Sequence, residues 1–148
     1  MQYLNMERVW LVTSVEALEQ VAREIIAALG EKRKIAVYGE MGAGKTTFVK
    51  AFCRTIGITG ATASPTFSLI NQYSYKSADG SLHLLHHLDL YRLKSAQEAL
   101  DIGIEDVLYD PWYCLIEWPQ VIEIVLPEDR AVIDITIIDE QTRKITLQ

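Results

Sequence analysis

The stretch Gly39-Glu40-Met41-Gly42-Ala43-Gly44-Lys45-Thr46 decides the fold. It is a full match to G-x-x-x-x-G-K-[ST], the loop that wraps its backbone N–H groups around the phosphates of a nucleoside triphosphate. Such a loop works only between a buried strand and a helix, because the strand fixes where the loop starts and the helix N-terminus adds its dipole. Both neighbours have the right pattern. Ile35-Ala36-Val37-Tyr38 is a short apolar run typical of a buried strand, and Thr46 to Ile56 reads as a helix stopped by Gly57. The chain is therefore expected to bind a nucleoside triphosphate. Gly39, Glu40, Met41, Gly42, Ala43, Gly44, Lys45, Thr46 and the adjoining Thr47 are the candidate binding set. Lys45 is expected to reach the β- and γ-phosphates, and the Thr46 hydroxyl to ligate Mg²⁺.

Upstream of the loop, Thr13-Ser14-Val15-Glu16 has capping-box spacing. Leu18, Val21, Ala22, Ile25, Ile26 and Leu29 then recur at helical intervals until Gly30. Downstream, residues 58–65 read as a loop, and Phe67, Leu69, Asn71, Tyr73 and Tyr75 alternate as a strand. Ser77-Ala78-Asp79-Gly80 forms the expected turn of a hairpin whose second strand is Ser81 to Leu90. Ser95 with Glu98 predicts a capped helix through Asp101, and Tyr113 to Glu117 a short buried strand. Residues 131–138 and 144–147, joined by a polar turn at 139–142, predict a second hairpin. Strand–helix pairs combined with hairpins give one layered α/β domain over residues 1–148, of the P-loop NTPase type, with a mixed sheet. In such a sheet, ligand chemistry sits at the carboxyl ends of the parallel strands.

Two strands end at a carboxylate. Leu84-Leu85-His86-His87-Leu88-Asp89 offers Asp89 as the second Mg²⁺ anchor, and Leu115-Ile116-Glu117 offers Glu117 as a residue that orients the attacking water or holds the metal. The alternative for Asp89 is a strand-end carboxylate that bonds the next turn, and for Glu117 a strand-end glutamate that faces water. Thr66, in Ser64-Pro65-Thr66, is a candidate γ-phosphate sensor, or else begins a strand behind Pro65. Alternation puts His83 and His87 on one face of their strand and His86 on the other, which argues against a zinc site. Tyr91, Arg92 and Trp118 adjoin the carboxylates; Arg92 is a candidate for phosphate or for pairing with Asp89.

Composition narrows the function class. At 148 residues, folding buries about 68–70% of the unfolded surface, enough for a core without disulfides. Cys53 and Cys114 have no metal-ligand spacing and read as small buried hydrophobes in a reducing compartment. No export signal or membrane span is legible, so the protein is expected to be cytoplasmic. The 14 basic and 20 acidic residues give a net charge of −6, the wrong sign for a chain that grips nucleic acid by itself.

Taken together, the loop at 39–46, Ser64-Pro65-Thr66-Phe67, His87-Leu88-Asp89-Leu90-Tyr91-Arg92 and Glu117-Trp118, in this order, resemble the TsaE family, also called YjeE. These are small bacterial ATPases of the threonylcarbamoyladenosine tRNA-modification system. The resemblance runs from about Thr13 to the last hairpin. It implies an ATP-hydrolysing component that joins the TsaB and TsaD proteins, with tRNA reached through that complex, and it leaves self-association open. It also implies Lys45 and Thr46 on phosphate and Mg²⁺, Asp89 and Glu117 at the metal, Glu117 with Trp118 in turnover, and Thr66 in a switch-like loop. Two other classes share the loop. A small-molecule kinase needs an acceptor pocket and usually an arginine-rich lid, and Arg54, Arg92, Arg130 and Arg143 are scattered. A GTP-dependent switch needs an Asn-Lys-x-Asp motif, which is missing.

Overall fold

The computed structural model describes residues 7–59 and 69–148. Thr66 and its neighbours Ser64, Pro65 and Phe67 lie outside the described residues. The elements are β1 (Arg8–Val12), α1 (Val15–Leu29), β2 (Lys34–Tyr38), α2 (Lys45–Ile56), β3 (Ile70–Lys76), β4 (Leu82–Asp89), α3 (Ala96–Asp101), α4 (Ile104–Leu108), β5 (Tyr113–Glu117), a 3₁₀ segment (Pro119–Val125), β6 (Ala131–Ile137) and β7 (Arg143–Leu147). The strands form one mixed sheet in the order β1-β7-β6-β2-β5-β4-β3.

The centre of that sheet is parallel: β2 lies between β5 and β6, and β4 runs parallel on the far side of β5. Both expected hairpins are present, β3–β4 at one edge and β6–β7 toward the other, each antiparallel. Central strands are covered on both faces, which is why β2 and β5 read as apolar runs without alternation. On one face α1 and α2 pack through Ile25, Phe48 and Phe52 against Ile35, Val37, Leu85, Leu115 and Ile133. On the other, Ile104, Leu108 and Ile122 pack against Ala36, Leu88 and Ile116. Completely burying each such side chain contributes about 1.5–3 kcal/mol, so the two layers hold the sheet from both sides.

Three elements carried no reading from the sequence. Strand β1 is an edge strand paired only with β7; Trp10 and Val12 face the core, but Val9 and Leu11 on the exposed face are apolar too, so its sequence shows no alternation. Helix α4 and the 3₁₀ segment are too short to show helical periodicity. One cap differs from expectation. The α1 N-cap is Ser14 rather than Thr13: Ser14 is extended and its Oγ accepts from the Ala17 N–H at 3.0 Å, so Glu16 falls inside the first turn and does not close a box. The Ser95 cap of α3 is as expected, accepting from the Glu98 N–H.

Candidate nucleotide site

Strand β2 ends at Tyr38, and the chain turns through the glycine loop before α2 begins at Lys45. Gly39 lies so close to the sheet that a Cβ there would sit 2.9 Å from the Ile135 carbonyl oxygen and 3.2 Å from the Ala43 Cβ. Gly44, with φ of 103°, takes the left-handed conformation at the helix start, which a side chain would strain. The loop is also held from outside. Arg143, at the start of β7, donates from Nε to the Ala43 carbonyl at 3.0 Å and from a terminal nitrogen to the Thr142 and Asp139 carbonyls.

The two carboxylates predicted from strand ends meet at this loop. Asp89 and Glu117 are paired in register on the parallel strands β4 and β5, and Glu117 is paired in turn with Val37 of β2. Glu117 is 2% exposed and accepts from the Thr46 hydroxyl at 2.9 and 3.1 Å on its two oxygens. It also contacts His87 Nε2 at 2.5 Å through Oε2. Asp89 is half-buried and accepts from the Tyr91 backbone N–H at 3.2 Å, the strand-end turn bond that its alternative reading required. It nevertheless lines the same cleft of about 340 Å³ as Met41, Gly42, Gly44, Lys45, Thr46, Thr47, Glu117 and Trp118.

Lys45 is 6% exposed, and its ammonium donates to the Gly39 and Glu40 carbonyls at 2.6 and 3.0 Å. It lies 4.0 Å from the centre of the Trp118 ring, within cation–π range. Burial pulls the Lys45 pKa below its ordinary value, and the carboxylates of Glu117, Asp89 and Glu40 oppose that shift. Trp118 is the one non-glycine residue with positive φ among the described residues, at 56°, and caps the 3₁₀ segment. That turn sends its ring back over Lys45, where it also packs at a tilt of 51° against Tyr91 with centroids 5.1 Å apart. Arg92 is exposed and forms no ion pair with Asp89 or any other described residue.

Beside the loop, on its α1 side, a second cleft of about 330 Å³ is bounded by Val12, Ser14, Leu18, Thr47, Phe48, Ile135 and Arg143. Neither this cleft nor the Arg143 and His87 contacts were legible in the sequence, because each joins segments far apart in the chain. The remaining histidines serve the fold. His86 contacts Gln72 at 3.0 Å and sits 3.7 Å from Asp110, and His83 packs between Tyr75 and Trp112. Among the described residues no group of three or more His, Cys, Asp or Glu side chains could hold a metal on its own. The donors at the loop are hard oxygens, a hydroxyl and two carboxylates, and they suit an ion that keeps waters and shares phosphate oxygens, as Mg²⁺ does.

Comparison with known proteins places the chain. The family model described as "Threonylcarbamoyl adenosine biosynthesis protein TsaE" matches residues 12–145. A Bacillus subtilis protein named tRNA threonylcarbamoyladenosine biosynthesis protein TsaE is 35% identical over 137 residues, 93% of this chain and 82% of that one. The protein of the same name from Rickettsia bellii is 31% identical over 147 residues, 97% of this chain and 94% of that one. Among solved structures, a crystal structure of B. subtilis YdiB superposes with a TM-score of 0.73 at 29% identity, covering 99% of this chain and 87% of that one.

Proposed function

Since the chain belongs to the TsaE family, proteins of tRNA threonylcarbamoyladenosine biosynthesis, we propose that it is the ATP-hydrolysing component of that system, resetting or regulating a TsaB–TsaD transferase that itself carries the tRNA. The observation that carries the reading is the meeting of Lys45 and Thr46, at the start of α2, with Glu117 and Asp89 from two parallel strands. A loop that only joined a strand to a helix would not need a buried carboxylate and a half-buried one beside it.

The geometry supports a specific division of labour. The Thr46 hydroxyl donates a hydrogen bond to Glu117, which leaves its oxygen lone pairs free for a cation, while Asp89 would supply the neighbouring carboxylate through water. Mg²⁺, when bound, neutralises charge on the phosphate oxygens. Lys45 exchanges the Gly39 and Glu40 carbonyls for β- and γ-phosphate oxygens, a stronger charge-assisted contact, and leaves the face of Trp118 as it does so. Glu117, held by Thr46 and His87, orients the attacking water. Gly39 to Thr47 supply the cradle, and the apolar cleft bounded by Leu18, Phe48 and Arg143 takes the base. No described helix is long and apolar enough to cross a membrane. The acidic net charge of −6 suits a subunit that engages proteins rather than tRNA directly.

The test is phosphate release from ATP by the chain alone and with a TsaB–TsaD pair and tRNA, with modified adenosine followed in the same tubes. ATP turnover and repeated modification that both depend on this chain are expected. Turnover without any effect of the partners would keep the nucleotide site and remove the pathway role.

A further inference from the structure

The proposed turnover names His87 only as a contact of Glu117 and does not say what that contact does, although His87 is 3% exposed and its Nε2 makes the shortest side-chain contact to Glu117. A buried polar group costs free energy unless it is bonded, so a histidine aimed at a carboxylate inside the sheet needs a reason. Its neighbour on the same face of the strand, Leu85, is apolar and fully buried in the layer under α1 and α2.

Strand geometry supplies the reason. Within β4, His87 and Asp89 share a face; within β5, Leu115 and Glu117 share the matching face, and the register pairs His87 with Leu115 and Asp89 with Glu117. His87 therefore approaches Glu117 diagonally, from the core side, while Thr46 approaches from the loop. With Glu117 a carboxylate, which can only accept, the proton of the contact stands on Nε2 of His87. Oε2 is then shared between His87 and Thr46, and among the described residues Oε1 takes only Thr46, so the carboxylate cannot rotate without breaking the buried bond.

Resting on the reading of this chain as an ATPase, we propose that His87 is a positioning residue for turnover: its Nε2–H fixes the rotamer of Glu117, so that one oxygen is presented to the cleft that holds the triphosphate. The role is that of a fixed donor and does not depend on a positive charge. It acts through Glu117 alone and touches no phosphate.

The experiment is a kinetic cycle on the full chain, with ATP affinity measured separately. His87→Leu removes the donor and is expected to lower kcat about 10–100-fold, the usual loss when a partner behind a metal-site ligand is removed, with KM for ATP within about threefold. His87→Asn, too short to reach Glu117, should behave alike and replaces the leucine variant if that one does not fold. His87→Gln, which carries an N–H near the Nε2 position, should restore kcat to within about fivefold of the parent. Because His87 acts through Glu117, adding His87→Leu to Glu117→Gln should lower kcat no further. A kcat unchanged by both His87→Leu and His87→Asn, losses that multiply in the double variant, or no recovery with glutamine would each overturn the proposal. A parent chain that releases no phosphate from ATP under any condition overturns the ATPase reading itself, and is thereby told apart from a failure confined to His87.

Discussion

Replacing Glu117 with glutamine separates its chemical role from its structural one. The side chain keeps its shape, and its remaining carbonyl oxygen can still accept from Thr46, at present 2.9 Å from Oε1. The new amide would face His87 Nε2, which now meets Oε2 at 2.5 Å; the neutral imidazole can accept there by moving its proton to Nδ1. Two charge-assisted contacts thus become neutral ones. At about 1.5–3 kcal/mol for a bond to a charged group against about 0.5–1.5 for a neutral one, the loss is roughly 1–3 kcal/mol in all, partly offset because a buried charge is removed. For a domain of this size, that corresponds to a melting temperature lower by about 2–10 °C, so the variant should remain folded at 25 °C. Turnover should fall much further, by about 10²–10⁴-fold, the usual contribution of a positioned carboxylate acting on water. ATP affinity in excess Mg²⁺ should stay within about threefold. Without Mg²⁺ it should rise, because one of the three carboxylates acting on Lys45 is gone and the triphosphate is repelled less. Phosphate release, fluorescent-nucleotide titration with and without EDTA, and a thermal melt provide all four values. A Glu117→Gln variant that hydrolyses ATP at the parent rate would refute the reasoning, and one that cannot bind ATP would show Glu117 to be a binding residue rather than one of turnover.

Lys45→Ala should weaken ATP binding by about 10–100-fold through loss of charge-assisted phosphate contacts, read by titration calorimetry; unchanged affinity in a folded variant would remove Lys45 from the site. Because Lys45 rests over Trp118, saturating ATP should change the tryptophan emission, and Trp118→Phe, which retains Trp10 and Trp112, should abolish that change; a signal that survives would place the response elsewhere. Burial pushes the Cys53 and Cys114 thiols up to about 12 from 9.0. Above pH 9 the unfolded chain loses thiol protons that the native chain keeps, so this contribution to stability is complete below pH 9 and is lost as pH rises toward 12, by about 1.4 kcal/mol per pH unit per thiol. Denaturant melts at pH 8 and 10.5 should show the decline, and Cys53→Ala/Cys114→Ala should flatten it; an equally steep fall in that variant would assign it to other groups.

The sequence carried the parts of the fold that are local and the parts of the site that lie on element ends. The strand and helix flanking the loop, both hairpins and the Ser95 cap follow from periods and caps that a short window contains. Asp89 and Glu117 were legible because an apolar run that stops at a carboxylate marks a strand end, and the register of β4 with β5 then sets them side by side. The rest was set by packing. Strand β1 shows no alternation because its outward residues Val9 and Leu11 are as apolar as the inward Trp10 and Val12, and its partner β7 lies at the far end of the chain. His87 looked like one of three strand histidines, and only the diagonal across β4 and β5 distinguishes its contact with Glu117 from the His86 contact with Gln72 on the opposite face. Arg143 read as a scattered cation, because its acceptor in the loop, the Ala43 carbonyl, lies a hundred residues earlier.

These long-range contacts explain why a phosphate loop is embedded in a mixed sheet. A loop with three glycines in six residues is conformationally permissive, and that freedom has to be removed before a phosphate arrives if binding is not to pay for it. The parallel centre of the sheet supplies the carboxylates at fixed register, and the antiparallel edges restrain what the centre leaves loose. From the β6–β7 side, Arg143 holds the Ala43 carbonyl; from the β3–β4 side, His87 holds Glu117 and, through it, the Thr46 hydroxyl. The loop is thus clamped between two hairpins, and under the proposed function Lys45 is the cation that exchanges its carbonyl partners for phosphate. Each clamp is a side chain that the loop's own sequence does not contain, which is why the motif identifies the chemistry and the sheet determines its geometry.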